Sequence, residues 1–209
     1  MATEKGEDIS ISFDGKKCIH ARQCVLSQPQ VFKAWTKGQW IFPDNGHVED
    51  IVVLAQSCPS GAIQYQRHDG GQDEPKPNVN VARVLENGPV AVKAEILIEG
   101  QSIGNRATLC RCGQSKNKPF CDGAHVAAGF EATGEIPIKA AEALPHRDGP
   151  LTVTAVPDGP LMVTGNLEIL RGTGTKSTVT TKAALCRCGA SANKPYCDGS
   201  HSKIGFKSS

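Results

Sequence analysis

A cysteine-rich segment of 22 residues occurs twice in this chain and constrains it more than any other feature. The first copy reads LCRCGQSKNKPFCDGAHVAAGF over residues 109–130, and the second reads LCRCGASANKPYCDGSHSKIGF over residues 185–206. Each copy holds three thiols and one imidazole in the spacing C-x-C-x8-C-x3-H, which predicts two metal centres. The candidate metal ligands are Cys110, Cys112, Cys121 and His125 in the first copy, and Cys186, Cys188, Cys197 and His201 in the second.

The donor types restrict the metal before any family is considered. Thiolates are soft ligands that favour zinc, Cu(I) or iron–sulfur clusters, and imidazole suits zinc and iron. A mononuclear Cys3His zinc site is the simplest alternative. Ordinary zinc knuckles, however, space their cysteine pair as C-x2-C or wider, whereas each copy here begins with C-x-C. The spacing therefore favours an iron–sulfur cluster and leaves a structural zinc module as the remote alternative.

The complete run, C-x-C-x2-S-x3-P-x-C-D-G-[SA]-H, resembles the CDGSH iron–sulfur domain of the mitoNEET-like proteins. Every motif position matches in the second copy, and the first departs only at Ala124, where serine is usual. That change removes a hydroxyl group but no ligand. The resemblance implies one [2Fe-2S] cluster in each copy, held by three cysteines and one histidine. It also implies that the C-x-C pair binds one iron and that the remaining cysteine and histidine bind the other.

The other three of the nine cysteines, Cys18, Cys24 and Cys58, lie together near the start of the chain. A bacterial ferredoxin supplies C-x2-C-x2-C and a remote cysteine followed by proline. Here Ala21 stands at the middle position of the first group, and Cys58 precedes Pro59. This part resembles the divergent single-cluster ferredoxin domains. We expect the three cysteines to bind a [3Fe-4S] cluster, with a [4Fe-4S] cluster that takes an outside ligand as the alternative. We expect His20, beside the gap, to pack nearby rather than to bind iron.

The pattern predicts a small, β-rich α+β fold. Residues 8–13 alternate as a strand would, and residues 47–57 show the spacing of a helix that leads to Cys58. Segments 90–98, 151–155 and 161–170 predict short antiparallel strands. The resemblance implies a ferredoxin-like α+β domain, followed by a tandem CDGSH unit with a β-cap and two cluster-binding loops. Single-copy relatives form homodimers, so we expect this chain to be a monomer with an internal, pseudo-twofold dimer.

The predicted domains follow the ligand sets. We expect an iron–sulfur domain over residues 1–68, a first CDGSH repeat over 79–140 and a second over 141–209. Between the first two, residues 69–78 are rich in glycine, proline and charge, which is typical of an exposed linker.

Composition excludes several classes of protein. The formal net charge is only +2. A charge so close to zero does not indicate a protein that binds nucleic acids or membrane surfaces. No apolar run approaches the ~20 residues of a membrane helix. The first dozen residues show neither a signal peptide nor an arginine-rich transit peptide. We therefore expect a cytoplasmic protein with no nucleic-acid or membrane partner.

Three ligand sets in one chain predict proton-coupled electron transfer between a reductase and an acceptor. The alternative is a carrier of iron or clusters, or a redox sensor, which donates [2Fe-2S] clusters made labile by their histidine to apo iron–sulfur proteins. The sequence shows no dinucleotide fingerprint and no catalytic triad order. We therefore expect a carrier of electrons or clusters rather than an enzyme.

Overall fold

Alternating apolar residues near the start of the chain build a three-stranded antiparallel sheet. In the computed structural model, which describes residues 1–208, the strands are β1 (Ala2–Lys5), β2 (Ile9–Phe13) and β3 (Ile63–Arg67). Strand β2 lies between the other two and buries Ile9 and Ile11. The predicted strand over residues 8–13 is confirmed. Strand β1 was not predicted, because its sequence ATEK carries no apolar alternation.

Two α-helices and one short 3₁₀-helix, Pro43–Asn45, complete this first unit. Helix α1 spans Gln23–Ser27, and helix α2 spans Val48–Ser57. Helix α2 buries Ile51, Val52, Leu54 and Ala55, which belong to one apolar core with strands β2 and β3. The helix predicted over residues 47–57 is therefore confirmed, and it begins one residue later than predicted. It ends where Cys58 begins, so its packing fixes the position of that thiol.

The chain divides into two compact units, one over Met1–Pro75 and one from Lys76 on. The second unit contains a six-stranded sheet and two very short helices, α3 and α4. The sheet is formed by β4 (Val81–Val84), β5 (Val90–Ile98), β6 (Gln101–Leu109), β7 (Pro150–Ala155), β8 (Leu161–Leu170) and β9 (Lys176–Leu185). Helix α3 spans Ala124–Ala127, and helix α4 spans Ser200–Lys203.

The two repeats exchange strands within this sheet. In the first repeat β4, β5 and β6 pair in antiparallel order, and in the second repeat β7, β8 and β9 do the same. In addition, β4 pairs in parallel with β8, and β7 pairs in parallel with β5. The predicted antiparallel arrangement of the strands over 90–98 and 151–155 is therefore wrong, because β5 and β7 are parallel. Strand β4 and its parallel pairing with β8 were not predicted. The first strand of each repeat pairs with the middle strand of the other repeat. A local sequence pattern cannot reveal such a pairing.

One apolar core joins both repeats. It includes Val92 and Ile96 of β5 together with Leu151 of β7 and Val163 of β8, all of them buried. Residues that alternate along each strand point to the same face, which is why the apolar positions collect on one side of the sheet. The carboxyl ends of β6 and β9 emerge from this core as the two cysteine-rich segments begin.

None of the helices among residues 1–208 has the length and apolar character needed to cross a membrane.

Candidate metal centres

Each cysteine-rich segment is a loop folded back onto the strand that precedes it. In the first copy, the backbone N–H of Cys110 donates to the carbonyl of Pro119 (2.8 Å), and the N–H of Cys121 donates to the carbonyl of Thr108 (2.8 Å). The second copy repeats both hydrogen bonds at 2.7 and 2.9 Å. The loop therefore places its third cysteine beside the first, although eleven positions separate them in the sequence.

The motif serine and aspartate hold the loop in this shape. Ser115 Oγ donates to the carbonyl of Phe120 (2.6 Å). The carboxylate of Asp122 accepts from the backbone N–H of Lys116 (2.8 Å) and from that of Ala124 (3.0 Å), where helix α3 begins. Asp122 therefore connects the loop to the helix that carries His125. Ser191 and Asp198 repeat these hydrogen bonds in the second copy.

The four predicted ligands of each copy lie in two close pairs. Cys110 Sγ and Cys112 Sγ are 3.8 Å apart, and Cys121 Sγ lies 3.4 Å from His125 Nδ1. The corresponding distances in the second copy are 3.8 Å and 3.3 Å. Two sulfurs bound at ~2.3 Å to one tetrahedral metal are about 3.8 Å apart, and a sulfur and a nitrogen are about 3.6 Å apart. Each pair is therefore spaced as two ligands of one metal atom.

Across residues 1–208, three or more histidine, cysteine, aspartate or glutamate side chains do not converge on a point that could hold a single ion. The observed arrangement is of pairs.

Burial shifts the titration of the second pair in the first copy. It raises the pKa of the Cys121 thiol to about 11. Burial also lowers the pKa of His125, which keeps the imidazole neutral near pH 7. A neutral imidazole is the form that binds a metal. Because metal ligation needs the thiolate, loading of this site must release a proton from Cys121.

In the first pair, the pKa values of Cys110 and Cys112 shift in opposite directions. The hydrogen bond from Cys112 lowers the pKa of Cys110, and backbone N–H groups, among them that of Ser115, add to this effect against burial. The same contact, followed by burial, raises the pKa of Cys112. Two thiolates 3.8 Å apart repel each other, so one proton stays on the pair until a cation replaces it.

An arginine stands between the two cysteines of each C-x-C pair, and sequence reasoning did not assign it a role. Arg111 is only 1% exposed. Its guanidinium donates to the backbone carbonyls of Gly88, Leu85, Ala132 and Thr133. Burial lowers its pKa, while the charges of Glu86, Cys186 and Cys112 oppose that shift. The signal that could have found it is its recurrence at the same position as Arg187.

The two loops contact each other reciprocally. A Cβ atom placed on Gly113 would lie 2.5 Å from the carbonyl oxygen of Cys188, and one on Gly189 would lie 2.5 Å from that of Cys112. Both glycines have left-handed backbones, with φ of +81° and +84°. Arg187 likewise interacts electrostatically with Cys110 of the other copy. Each centre is therefore built against the backbone and charge of the other.

The three cysteines of the first unit line one cavity of about 310 Å³. Cys18 follows strand β2, Cys24 lies in helix α1 and Cys58 follows helix α2. Ala21 also lines this cavity, so the vacant position of the sequence pattern faces the same space. A water molecule takes ~30 Å³ of liquid volume, so the cavity has room for roughly ten. That volume suits a polynuclear cluster better than a single ion.

Burial is also the main influence on the pKa values of two thiols in this cavity. It raises the pKa of Cys18 and of Cys24, and the charges of neighbouring thiols, Cys58 included, raise both further. In the opposite direction, the backbone N–H of His20 donates to Cys18 Sγ (3.4 Å). The cavity therefore disfavours free thiolates, and bound iron would remove this penalty by neutralising their charge.

Comparison with protein families agrees with this division of the chain. Residues 87–126 and 158–202 match the model described as iron-binding zinc finger CDGSH type. Residues 4–68 match the model described as divergent 4Fe-4S mono-cluster. The two matched segments of the first model contain the eight paired ligands, and the match of the second contains Cys18, Cys24 and Cys58.

Individual relatives match shorter stretches of the chain. The uncharacterized protein YjdI of Escherichia coli strain K12 is 36% identical over 61 residues, which are 29% of this chain and 79% of YjdI. The CDGSH iron-sulfur domain-containing protein 1 of Mus musculus is 31% identical over 85 residues, which are 41% of this chain and 74% of the mouse protein. The homologue from Rattus norvegicus matches to the same extent. This chain therefore belongs to the CDGSH iron–sulfur domain family, with two copies of the motif and an N-terminal domain of the divergent 4Fe-4S mono-cluster type.

Proposed function

We propose that this protein carries three iron–sulfur clusters and transfers electrons, coupled to protons, between a reductase and an acceptor protein. The observation that carries the proposal is the presence of three separate sets of ligands in one chain. A protein that only donates clusters has no evident need of the third set, in the N-terminal unit. No residue is assigned a catalytic role, and the proposed activity is that of a carrier rather than of an enzyme.

The ligand pairs fit a binuclear cluster in each CDGSH loop. We propose that the C-x-C pair of each copy holds one iron of a [2Fe-2S] cluster and that the Cys–His pair holds the other. The spacing of the pairs, 3.8 Å and 3.3–3.4 Å, supports this assignment. When bound, such a cluster accepts and releases one electron, at a potential above that of an all-cysteine cluster.

The cavity of the first unit fits a larger cluster. We propose that Cys18, Cys24 and Cys58 hold it, as a [3Fe-4S] or a [4Fe-4S] cluster. The family description, which names a 4Fe-4S centre, favours the second of these. The cavity is lined mostly by apolar side chains such as Val25, Trp40 and Leu54, which keep water away from the sulfurs and so influence the potential.

Backbone groups and arginine side chains of this chain stabilise negative charge at these sites. Backbone N–H groups donate to the sulfurs of Cys112, Cys121 and Cys197 at 3.4 Å. Arg111 and Arg187 place buried positive charge close to both centres. Hydrogen bonds and cations of this kind stabilise thiolates and favour the reduced, more negative state.

The two motif histidines provide the coupling to protons in this proposal. His125 and His201 are half-buried, and each directs Nδ1 at its partner cysteine. Nε2 is then the ring atom that can hold a proton or donate it to a neighbour. We propose that added negative charge at the centre strengthens the hold on that proton.

We further propose that the tandem unit is a monomeric, pseudo-twofold β-cap and that the first unit is ferredoxin-like. The exchanged strands and the reciprocal contacts of Gly113 and Gly189 support the first statement. The domains would be 1–68, 79–140 and 141–209, joined by the linker 69–78.

The second candidate function is the delivery of clusters or iron to apo-proteins. It is favoured by one observation: each motif histidine is partly accessible to solvent and lies on a helix of only four residues. One test separates the two functions. The reduced and oxidised holo-protein is mixed with an apo-ferredoxin. Clusters that remain in place through many redox cycles support electron transfer, whereas rapid stoichiometric movement of clusters supports delivery.

A further inference from the structure

We propose that His20 supplies the fourth protein ligand of a [4Fe-4S] cluster in the N-terminal cavity. The inference rests on the proposed function, which places a cluster there. It departs from the sequence expectation that His20 only packs nearby. The cavity provides three thiols, and the position expected to carry a fourth is Ala21, whose methyl group cannot bind iron.

His20 is the side chain of the cavity wall best suited to complete the set. Besides the three cysteines, the polar residues that line the cavity are His20, Arg22, Gln23 and Ser60. The guanidinium of Arg22 is a hydrogen-bond donor only and offers no lone pair. Ser60 Oγ lies 3.7 Å from Cys58 Sγ and accepts from the N–H of Ala62. An amide oxygen, as in Gln23, suits harder cations, whereas imidazole suits iron.

The backbone beside the gap is held in an uncommon conformation. His20 has a φ of 55° and Arg22 a φ of 64°, a left-handed region that L-residues seldom adopt because the Cβ atom crowds the following carbonyl oxygen. Strained residues of this kind cluster at sites that bind or react. With this backbone, the N–H of His20 donates to Cys18 Sγ (3.4 Å), and the solvent-exposed residue lies at the wall of the cavity. The residue therefore contacts one of the three thiols that the proposed function assigns to the cluster.

The imidazole of His20 is also uncommitted. Within residues 1–208 its ring nitrogens take no hydrogen-bond partner. By contrast, the ring of His68, which follows strand β3, is paired with Ser10 Oγ at 2.7 Å. An imidazole with a free nitrogen, on a residue at the wall of the cavity, is available as a ligand.

The assignment gives all three centres the same composition. The nine cysteines form three sets of three, and each CDGSH loop adds one histidine. With His20, the N-terminal set also becomes three thiolates and one neutral imidazole. Because imidazole carries no charge, such a cluster is one unit less negative than an all-cysteine cluster. Its reduction is correspondingly easier, as in the other two centres.

The test compares His20→Ala, His20→Cys and the control His47→Ala in the full-length chain, purified without oxygen. His47 is exposed and precedes helix α2, outside the cavity. We expect about eight irons per chain in the wild type and in the control, with no paramagnetic signal before reduction. His20→Ala should lose one iron and show the signal of an oxidised three-iron cluster. His20→Cys should keep the iron and titrate at a lower potential than the wild type.

Three results would overturn the assignment. The first is a His20→Ala variant with all eight irons and an unchanged N-terminal potential. The second is a wild type with about seven irons and a paramagnetic signal before reduction, which would leave no fourth iron to bind. The third is loss of all N-terminal iron in both His20 variants, which would indicate a structural role. Loss in His20→Ala with recovery in His20→Cys supports ligation.

The iron of the CDGSH loops separates this inference from the proposed function. If the wild type holds the CDGSH iron and the His20 variants behave like it, only the role of His20 fails. If the wild type holds neither iron nor sulfide, the proposed function fails and this inference fails with it.

Discussion

At the scale of single residues, the proposed ligands His125 and His201 are the residues that would distinguish these centres from ordinary all-cysteine clusters. Each imidazole lies 3.3–3.4 Å from its partner sulfur and is half-buried. We predict that His125→Cys with His201→Cys lowers the potential of the CDGSH centres by ~100 mV or more, because a thiolate replaces a neutral ligand. Potentiometric titration followed by optical absorbance checks this. His146→Cys, an exposed residue outside both motifs, is the matched control, and potentials equal to the wild type would contradict the ligand assignment.

The same residues determine the response to acid. Burial lowers the pKa of His125 below its ordinary value. The stabilisation that its neutral form gives is therefore complete above about pH 6.5 and is lost as the pH falls through the lowered pKa. We predict that cluster absorbance decays progressively below about pH 6 in the wild type. It should persist to a pH at least about one unit lower in the double histidine-to-cysteine variant. Equal decay in the two proteins would show that the histidines do not bind the clusters.

Arg111, which lies between Cys110 and Cys112, joins the first cysteine-rich loop to two neighbouring segments of the chain. Its buried guanidinium satisfies four backbone carbonyls. We predict that Arg111→Met lowers the free energy of unfolding by about 3 kcal/mol, because these carbonyls would lose their donors inside the protein. Arg83→Met is the control, since exposed Arg83 also donates to a carbonyl, that of Gly172. Denaturant unfolding of the two variants measures the difference, and equal losses would contradict this account.

The candidate ligands of the two CDGSH loops were visible in the sequence because each set lies within a short, repeated segment. Cys18, Cys24 and Cys58 are more widely spaced and were identified only by their resemblance to a ferredoxin pattern. The structure brings the four predicted donors of each copy together in pairs. The roles of Arg111 and Gly113 were not visible, because they depend on contacts with residues far along the chain. His20 was predicted to pack nearby, and spacing alone cannot show that it lies at the wall of a cavity.

At the scale of elements, the two cluster loops depend on each other through Gly113 and Gly189. We predict that Gly113→Ala destabilises both centres, because its Cβ would lie 2.5 Å from the carbonyl oxygen of Cys188. The control is Gly123→Ala, which has nearly the same backbone, with φ of +85°, but open space around a Cβ. The control should lose only the ~1 kcal/mol of a left-handed alanine.

The rate of cluster loss in each variant checks this prediction. Gly113→Ala should lose absorbance from both centres faster than Gly123→Ala does. Equal rates for the two variants would mean that the contact between the loops is unimportant.

The strands show which parts of the fold a local sequence pattern predicts and which parts it does not. Strands β5, β7 and β8 were predicted within one residue, because apolar side chains alternate along them. Strand β9, with the sequence KSTVTTKAAL, was missed because polar residues occupy most of its positions. The parallel pairings of β4 with β8 and of β5 with β7 bring together residues from different repeats, and nothing local encodes them.

At the scale of the whole molecule, the two repeats form a single sheet because they exchange strands, and one chain that carries both repeats can complete that sheet by itself. Neither repeat completes the six-stranded sheet alone, because each uses the first strand of the other. We predict that the protein is a monomer of about 22.1 kDa. Light scattering after size-exclusion chromatography measures the mass, and a stable dimer of the holo-protein would contradict the internal pairing.

The central claim is that one chain holds three iron–sulfur clusters. The most direct test measures iron, zinc and acid-labile sulfide per chain in protein purified without oxygen. Two [2Fe-2S] clusters and a third centre with four sulfides predict about eight sulfides, with about eight irons or, for a three-iron centre, about seven. A colourless protein that contains zinc and no sulfide would contradict the account.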